Sequence, residues 1–351
     1  MSQLNRKNEH VEIAEKFFNK PKQSDYDSLA FVHQSFPEMS VNDVDIRTSF
    51  LDFHMSSPFY INAMTGGSEK TEKINAQLAQ VAAATGVAIA SGSQSAALKD
   101  PNVTSSFKVL RQYNPAGLIF ANLGADHSVE NALRAIDMLQ ANAIQLHVNA
   151  PQELIMPEGD RDFHHWLTSI EAVVKQVDVP VIVKEVGFGM SRNTLSLLNE
   201  IGVETVDLSG RGGTNFAAIE NVRRASHSLD FLENWGQSTI ISLLEAQSFL
   251  TKMNLLASGG VRNSFDIIKS LSLGAKAVGA SGFFLHSILN DGVDSTIQTI
   301  ENWQEELKLM MTLLGKKTIP ELQETDLIIS GSVRDWCLAR EIDYQQFAKR
   351  S

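Results

Sequence analysis

Eight short apolar runs, strung through residues 58–281 and separated mostly by amphipathic stretches, constrain this chain more than any other feature. They read PFYINA (58–63), VAIA (87–90), GLIFANL (117–123), AIQLHV (143–148), VPVIVKEV (179–186), TVDLS (205–209), LLASGG (255–260) and KAVGAS (276–281). Most are continuously apolar rather than alternating, the pattern of parallel strands covered on both faces. Helical patterns such as 72–86 and 128–143 lie between them, and Gly86, Gly202 and Gly274 stand just before a strand. Glycine past a helix end accommodates the left-handed C-cap. The repeat predicts an α/β fold, a (β/α)8 TIM barrel of about 250 residues. An open doubly wound sheet is the alternative. Such a sheet gathers its chemistry at one switch point, whereas here chemistry-bearing residues follow nearly every run.

Three segments fall outside the repeat. Residues 1–57 form an N-terminal extension, 210–238 an insertion after the sixth strand of the barrel (58–290), and 291–351 a mostly helical C-terminal extension expected to pack on the barrel. Connections longer than about 15 residues are usually lids or functional loops, or else disordered. Thirty Lys and Arg face 41 Asp and Glu among 351 residues, a net charge of −11. That balance argues against a general nucleic-acid binder. An anionic ligand would need local cations or a metal to overcome the field. No apolar run approaches the roughly 18 residues of a membrane span, and the polar N-terminus lacks the apolar stretch of a secretory signal. The single Cys337 excludes an internal disulfide and fits a reducing cytoplasm. It reads as a structural thiol.

The strand ends carry the chemistry. After the seventh strand, Gly259 and Gly260 let backbone amides approach a ligand, and Asn263 or Ser264 can cap the next helix. After the eighth, residues 279–282 open another helix. Two adjacent amide-bearing loops make the phosphate site common after strands seven and eight of such barrels, the alternative being tight turns alone. Arg262 either adds charge there or forms a surface salt bridge. Asn62 and Thr65 follow the first strand, where the backbone of 63–65 can contact a planar ring; Ser91, Ser93, Gln94 and Ser95 follow the second, and Asn122 the third. Lys184 stands in an otherwise apolar fifth strand, so it points to a polar interior or a ligand, or pairs with Glu185. A cation there would stabilise an anionic reduced flavin ring. Asp207, Ser209 and Thr214 surround a glycine run after the sixth strand.

The fourth strand end is the densest. His147 and Asn149 share a face, and Gln152 and Glu153 follow. Glu153 can hold Mg2+ through an oxygen, with waters and phosphates completing the octahedron. His147 is a candidate general acid or base. Near the N-terminus, Arg6, Lys7 and His10 on one short segment form either a diphosphate clamp or a solvated tail.

Long strings run through residues 4–330: NRKNEH, INAMTGGS, SGSQSAAL, QLHVN, PQELIMPEG, KEVGFGM, DLSGRGGTNF, WGQST, SGGVRN and GAKAVGAS. Together they resemble the type 2 isopentenyl-diphosphate isomerases. The resemblance implies an enzyme that uses reduced FMN and Mg2+, with NADPH as reductant, to interconvert isopentenyl and dimethylallyl diphosphates. It implies that Ala63, Met64, Thr65, Ser93, Asn122, Lys184, Ser209, Thr214, Gly259, Gly260, Ala280 and Ser281 hold FMN, with Arg262 nearby. Arg6, Lys7, His10, Ser93, Gln94, His147, Asn149 and Gln152 would face the substrate, and Glu153 would carry Mg2+. Gln152, His147 and Lys184 are then the catalytic candidates. A homotetramer or homo-octamer, with no nucleic-acid or membrane partner, is expected. An FMN-dependent 2-hydroxy-acid oxidase or dehydrogenase is the competing reading on the same barrel. That chemistry wants a base histidine after the sixth strand, and residues 209–216 contain none.

Overall fold

The computed structural model describes residues 3–18, 24–63, 65–224 and 227–351. The eight runs close into a parallel barrel: β1 (Phe59–Ile61), β2 (Ala88–Ala90), β3 (Ile119–Gly124), β4 (Ala143–His147), β5 (Val181–Lys184), β6 (Thr205–Asp207), β7 (Asn254–Ser258) and β8 (Ala277–Ala280), with β8 paired to β1. The closed ring answers the choice between barrel and open sheet. Its register aligns Gly124 with His147, His147 with Lys184, and Lys184 with Asp207. Neighbouring strands therefore deliver their polar ends as one row on the C-terminal rim.

Successive strand residues point to opposite faces, and the core splits accordingly. Ile89, Ile144, Val183, Val206, Leu255 and Val278 belong to the layer shared with the helices. Tyr60, Ala90, Phe120, Ile182 and Leu256 fill the barrel interior. That interior also receives Phe50 and Phe53 from the hairpin of strands Thr48–Phe50 and Phe53–Met55. Phe53 lies 5.8 Å from Phe120, ring to ring. The first 57 residues thus serve both ends of the barrel. Their hairpin plugs the floor, and their first helix, Gln3–Lys16, lies over the mouth.

The C-terminal segment is less separate than its sequence suggests. Helix Gly292–Leu313 packs against helices Glu69–Thr85, Ser264–Ser272 and Gly282–Asn290, filling the place between the seventh and first helices of the ring. A boundary at 290/291 therefore cuts through the eighth βα unit. Farther on, strand Leu327–Ile329 pairs antiparallel with Leu29–Phe31, tying the two extensions together. In the 210–238 segment, a bridge between Arg211 and Ser238 closes the base, and helix Phe216–Arg223 rises beside the mouth. Among the described residues no helix is long and apolar enough to cross a membrane.

Candidate active site

A cavity of about 910 Å³ opens at the C-terminal ends of the strands, roofed by the N-terminal helix and flanked by helix Phe216–Arg223. The barrel brings Ala63, Thr65, Ser93, Asn122, His147, Asn149, Gln152, Glu153, Lys184, Ser209, Thr214, Gly259, Gly260, Arg262, Ala280 and Ser281 to its walls, and the roof supplies Arg6, Lys7 and His10. Met64, expected beside Ala63, lies outside the described residues.

Lys184 is buried at the base of the mouth. Its Nζ donates to the Glu185 carbonyl at 2.6 Å and stands 3.8 Å from the Asp207 carboxylate. Its counter-charge is therefore Asp207, not the Glu185 carboxylate, which instead accepts the N–H groups of Val186 and Phe188. Burial pushes the Glu185 carboxyl up to about 7. Asp207 also accepts Asn62 Nδ2 at 2.7 Å and the Ser258 hydroxyl at 2.7 Å. A buried ammonium with this support is a fixed positive charge at the cavity floor.

At the ends of β6 and β7, backbone replaces side chains. A Cβ on Gly213 would stand 3.0 Å from Gly260 N, and one on Gly259 would strike Gly210 O at 2.0 Å. Gly259 and Gly260 have φ of +95° and +73°, a region that favours glycine. Beside them helix Gly282–Asn290 begins with no side-chain cap, its N-cap Ser281 facing the cavity. Amide-rich loops next to an uncapped helix start suit a phosphate. With Lys184 on the same rim at the end of β5, the residues fit a flavin phosphate at one end and an electron-rich ring at the other.

The roof is cationic. Arg6 has a buried Nε with no partner, and its nearest carboxylate oxygen, on Glu158, is 3.9 Å from Nη1. Burial, then the charge of Arg6, lowers Lys7 to about 8. His10 Nε2 stands 3.0 Å from Glu220 Oε1, off the line of a good hydrogen bond. Burial lowers the His10 pKa against the pull of Glu220. Glu220 itself is fully buried and also accepts Gln152 Nε2 at 3.0 Å and the Arg223 guanidinium. Burial opposes its ionisation, but His10, Gln152 and Arg223 outweigh that and hold it below the usual carboxylate range. Below the roof, Glu153 accepts Asn149 Nδ2 and Asp160 N–H, each at 2.9 Å. Among the described residues no group of three His, Cys, Asp or Glu could hold a metal. A cation on Glu153 would thus draw its other ligands from water and bound phosphate, as Mg2+ does.

Three expectations need correcting. Gln94 does not reach the cavity: its amide donates to Ala135 O and accepts the Asn122 N–H, so both ends are spent inside the wall. Arg262 lines the cavity, but its guanidinium is held by Asp27 at 2.6 Å and Asp266 at 2.8 Å, which neutralise it. His147 is unsuited to act as an acid from its charged form. Burial, Lys184 and Lys7 lower it to about 3. Two groups escaped sequence reading. Glu220 sits in an ordinary helical stretch, where a buried carboxylate has no local signature. His127 lines the wall with Ser95 Oγ 2.7 Å from its Nε2, and only the closing of the ring brings it there.

Residues 121–329 match the family model described as FMN-dependent dehydrogenase. The chain is 50% identical over 340 residues to an isopentenyl-diphosphate delta-isomerase of Latilactobacillus sakei, covering 97% of each chain. It is 51% identical over 338 residues to that of Staphylococcus haemolyticus, covering 96% of this chain and 97% of the relative. A flavocytochrome b2 variant with sulfite bound superposes with a TM-score of 0.65 at 24% identity, over 89% of this chain and 81% of that one. A mandelate oxidase variant with benzaldehyde gives 0.62 at 15%, over 92% and 91%. These two likenesses show the fold. The near-full-length identity shows more: this chain belongs to the isopentenyl-diphosphate delta-isomerases, on the barrel of the FMN-dependent dehydrogenases.

Proposed function

We propose that this isomerase interconverts isopentenyl and dimethylallyl diphosphates using reduced FMN on the barrel rim, Mg2+ on Glu153 and NADPH as reductant. The observation that carries this reading is the buried Lys184, backed by Asp207, on the same rim as a glycine cradle. FMN would be held by Thr65, Ser93, Asn122, Lys184, Ser209 and Thr214 around its ring and chain, and by Gly259, Gly260, Ala280 and Ser281 at its phosphate. Once bound and reduced, it would supply the acid–base chemistry at carbon.

The chain's own residues do the rest. Lys184 stabilises negative charge on the reduced ring. Arg6, Lys7 and His10 clamp the diphosphate with Glu153 and its Mg2+. Gln152 is held between Asn149, whose Nδ2 donates to its Oε1, and Glu220, which accepts its Nε2, and so presents a fixed amide to the carbon chain. The roof helix covers the mouth and keeps water from the reacting carbons. The 2-hydroxy-acid oxidase reading lacks its base, since no histidine occurs in 209–216. In keeping with its family, the enzyme is read as a cytoplasmic homotetramer or homo-octamer.

The test is product analysis with purified protein. Double-bond transposition is expected with FMN, NADPH and Mg2+ together, and it should be lost when any one is withheld. Full turnover without flavin would overturn the reading, as would lactate or glycolate oxidation without isomerisation.

A further inference from the structure

Beneath the cavity, five side chains from four strands or their ends join into one buried chain of hydrogen bonds. Asp207 Oδ2 accepts Asn62 Nδ2 at 2.7 Å. Asn62 Oδ1 accepts Gln145 Nε2 at 3.1 Å, Gln145 Oε1 accepts Asn122 Nδ2 at 3.0 Å, and Asn122 Oδ1 lies 2.9 Å from His147 Nδ1. Asp207 and Gln145 are fully buried, and Asn62 and Asn122 are 1% and 2% exposed, so water has no ready access to the amides.

The direction of this chain is fixed. An ionised carboxylate only accepts, so Asn62 must present its NH2 to Asp207. The opposite face of Asn62 is fixed independently, because the Ala63 backbone N–H, which only donates, meets Oδ1 at 2.7 Å. With Asn62 set, each following amide has one orientation that avoids facing oxygen with oxygen or NH2 with NH2. The last acceptor in the row is Asn122 Oδ1, so the imidazole nitrogen that meets it must carry hydrogen.

We propose that Asp207, Asn62, Gln145 and Asn122 form a one-way hydrogen-bond relay that fixes His147 as its Nδ1–H tautomer, so that Nε2 offers a lone pair and His147 meets the bound ligand as a hydrogen-bond acceptor. The ring is neutral because it is buried and because Lys184, Lys7 and His127 all disfavour a further positive charge, outweighing the smaller opposite pull of the Leu123 backbone. Gln145 does not line the cavity and acts only through Asn122 and His147. It is a positioning residue. The same relay anchors Lys184, because Asp207 is both the origin of the hydrogen-bond chain and the counter-charge of the ammonium. One buried carboxylate thereby sets a fixed cation on β5 and a fixed acceptor on β4. The assignment rests on the relay's own geometry and stands apart from the flavin reading.

The test is nitrogen NMR of the full-length protein with 15N-labelled histidine, the His147 signals being assigned by their loss in His147→Gln. In the parent, Nδ1 should show the protonated, pyrrole-type shift and Nε2 the unprotonated, pyridine-type shift, unchanged across the neutral pH range. Gln145→Leu breaks the relay and frees the Asn122 amide to turn. The two shifts should then move toward each other or exchange. Gln145→Glu, held neutral by its full burial, donates its O–H to Asn62 Oδ1, still accepts from Asn122 and should restore the parent pattern. A pyridine-type Nδ1 in the parent would overturn the proposal, and so would a parent-like tautomer in folded Gln145→Leu. If Gln145→Leu does not fold, the parent spectrum and Gln145→Glu decide alone: loss of the Nδ1–H pattern in folded Gln145→Glu would also overturn it.

Discussion

Glu220 shows how much of this site is decided side chain by side chain. A fully buried carboxylate beside His10, Gln152 and Arg223 is stable only because those partners are present together. Glu220→Gln keeps the volume but removes the charge that holds His10 and orients the Gln152 amide. It should lower kcat by roughly 10²-fold, the scale of a misplaced acid–base partner, with flavin content unchanged. A kcat near the parent value would place Glu220 outside the mechanism. Lys7 makes a pH prediction. Its pKa is lowered to about 8, so it is charged below that pH and loses its charge as pH rises through it. Binding of inorganic pyrophosphate, measured by calorimetry, should therefore weaken above pH 8. Lys7→Arg, which stays charged, should flatten that decline; an unchanged profile would remove Lys7 from the clamp.

At the scale of elements, the roof and the underside behave differently. The N-terminal helix is tied down by Lys70–Glu12, Arg223–Glu9 and His286–Glu15, and pairs of this partly exposed kind contribute about 0–1 kcal/mol each. Removing residues 1–18 should lower the melting temperature by only a few degrees while raising KM for the diphosphate roughly 10²-fold, because the clamp goes with it. Loss of folding on that truncation would mean the helix is part of the core. The C-terminal segment is part of the core. Phe347, Leu327 and Val333 are fully buried, and strand Leu327–Ile329 is paired to Leu29–Phe31. Phe347→Ala should cost about 3–5 kcal/mol in a denaturant titration. A cost below about 1 kcal/mol would show that the segment is only an appendage.

For the molecule as a whole, the acidic charge of −11 and the cationic roof act at different ranges. The net field repels an anion from afar, whereas Arg6 and Lys7 would attract one within the screening length of about 8–10 Å at ordinary salt. Assembly is the other property of this scale. Light scattering should give four or eight times the 38.6 kDa chain mass, and a single-chain mass at assay concentration would refute the oligomer.

The sequence alone determined the repeat, and with it the barrel. Apolar runs at β spacing between amphipathic helices leave few other ways to bury both faces of a parallel sheet. It also marked the rim residues, since Lys184, Asn149, Gln152 and Glu153 are polar groups at the ends of apolar strands. Only the closed structure decided what those residues do. Lys184 pairs with Asp207 rather than its neighbour Glu185, Gln94 turns into the wall, and helix Gly292–Leu313 completes the ring. Each of these depends on strand register and on contacts between residues far apart in the chain. Local periodicity carries no information about them, because burial and hydrogen-bond partners are settled only when the ring closes.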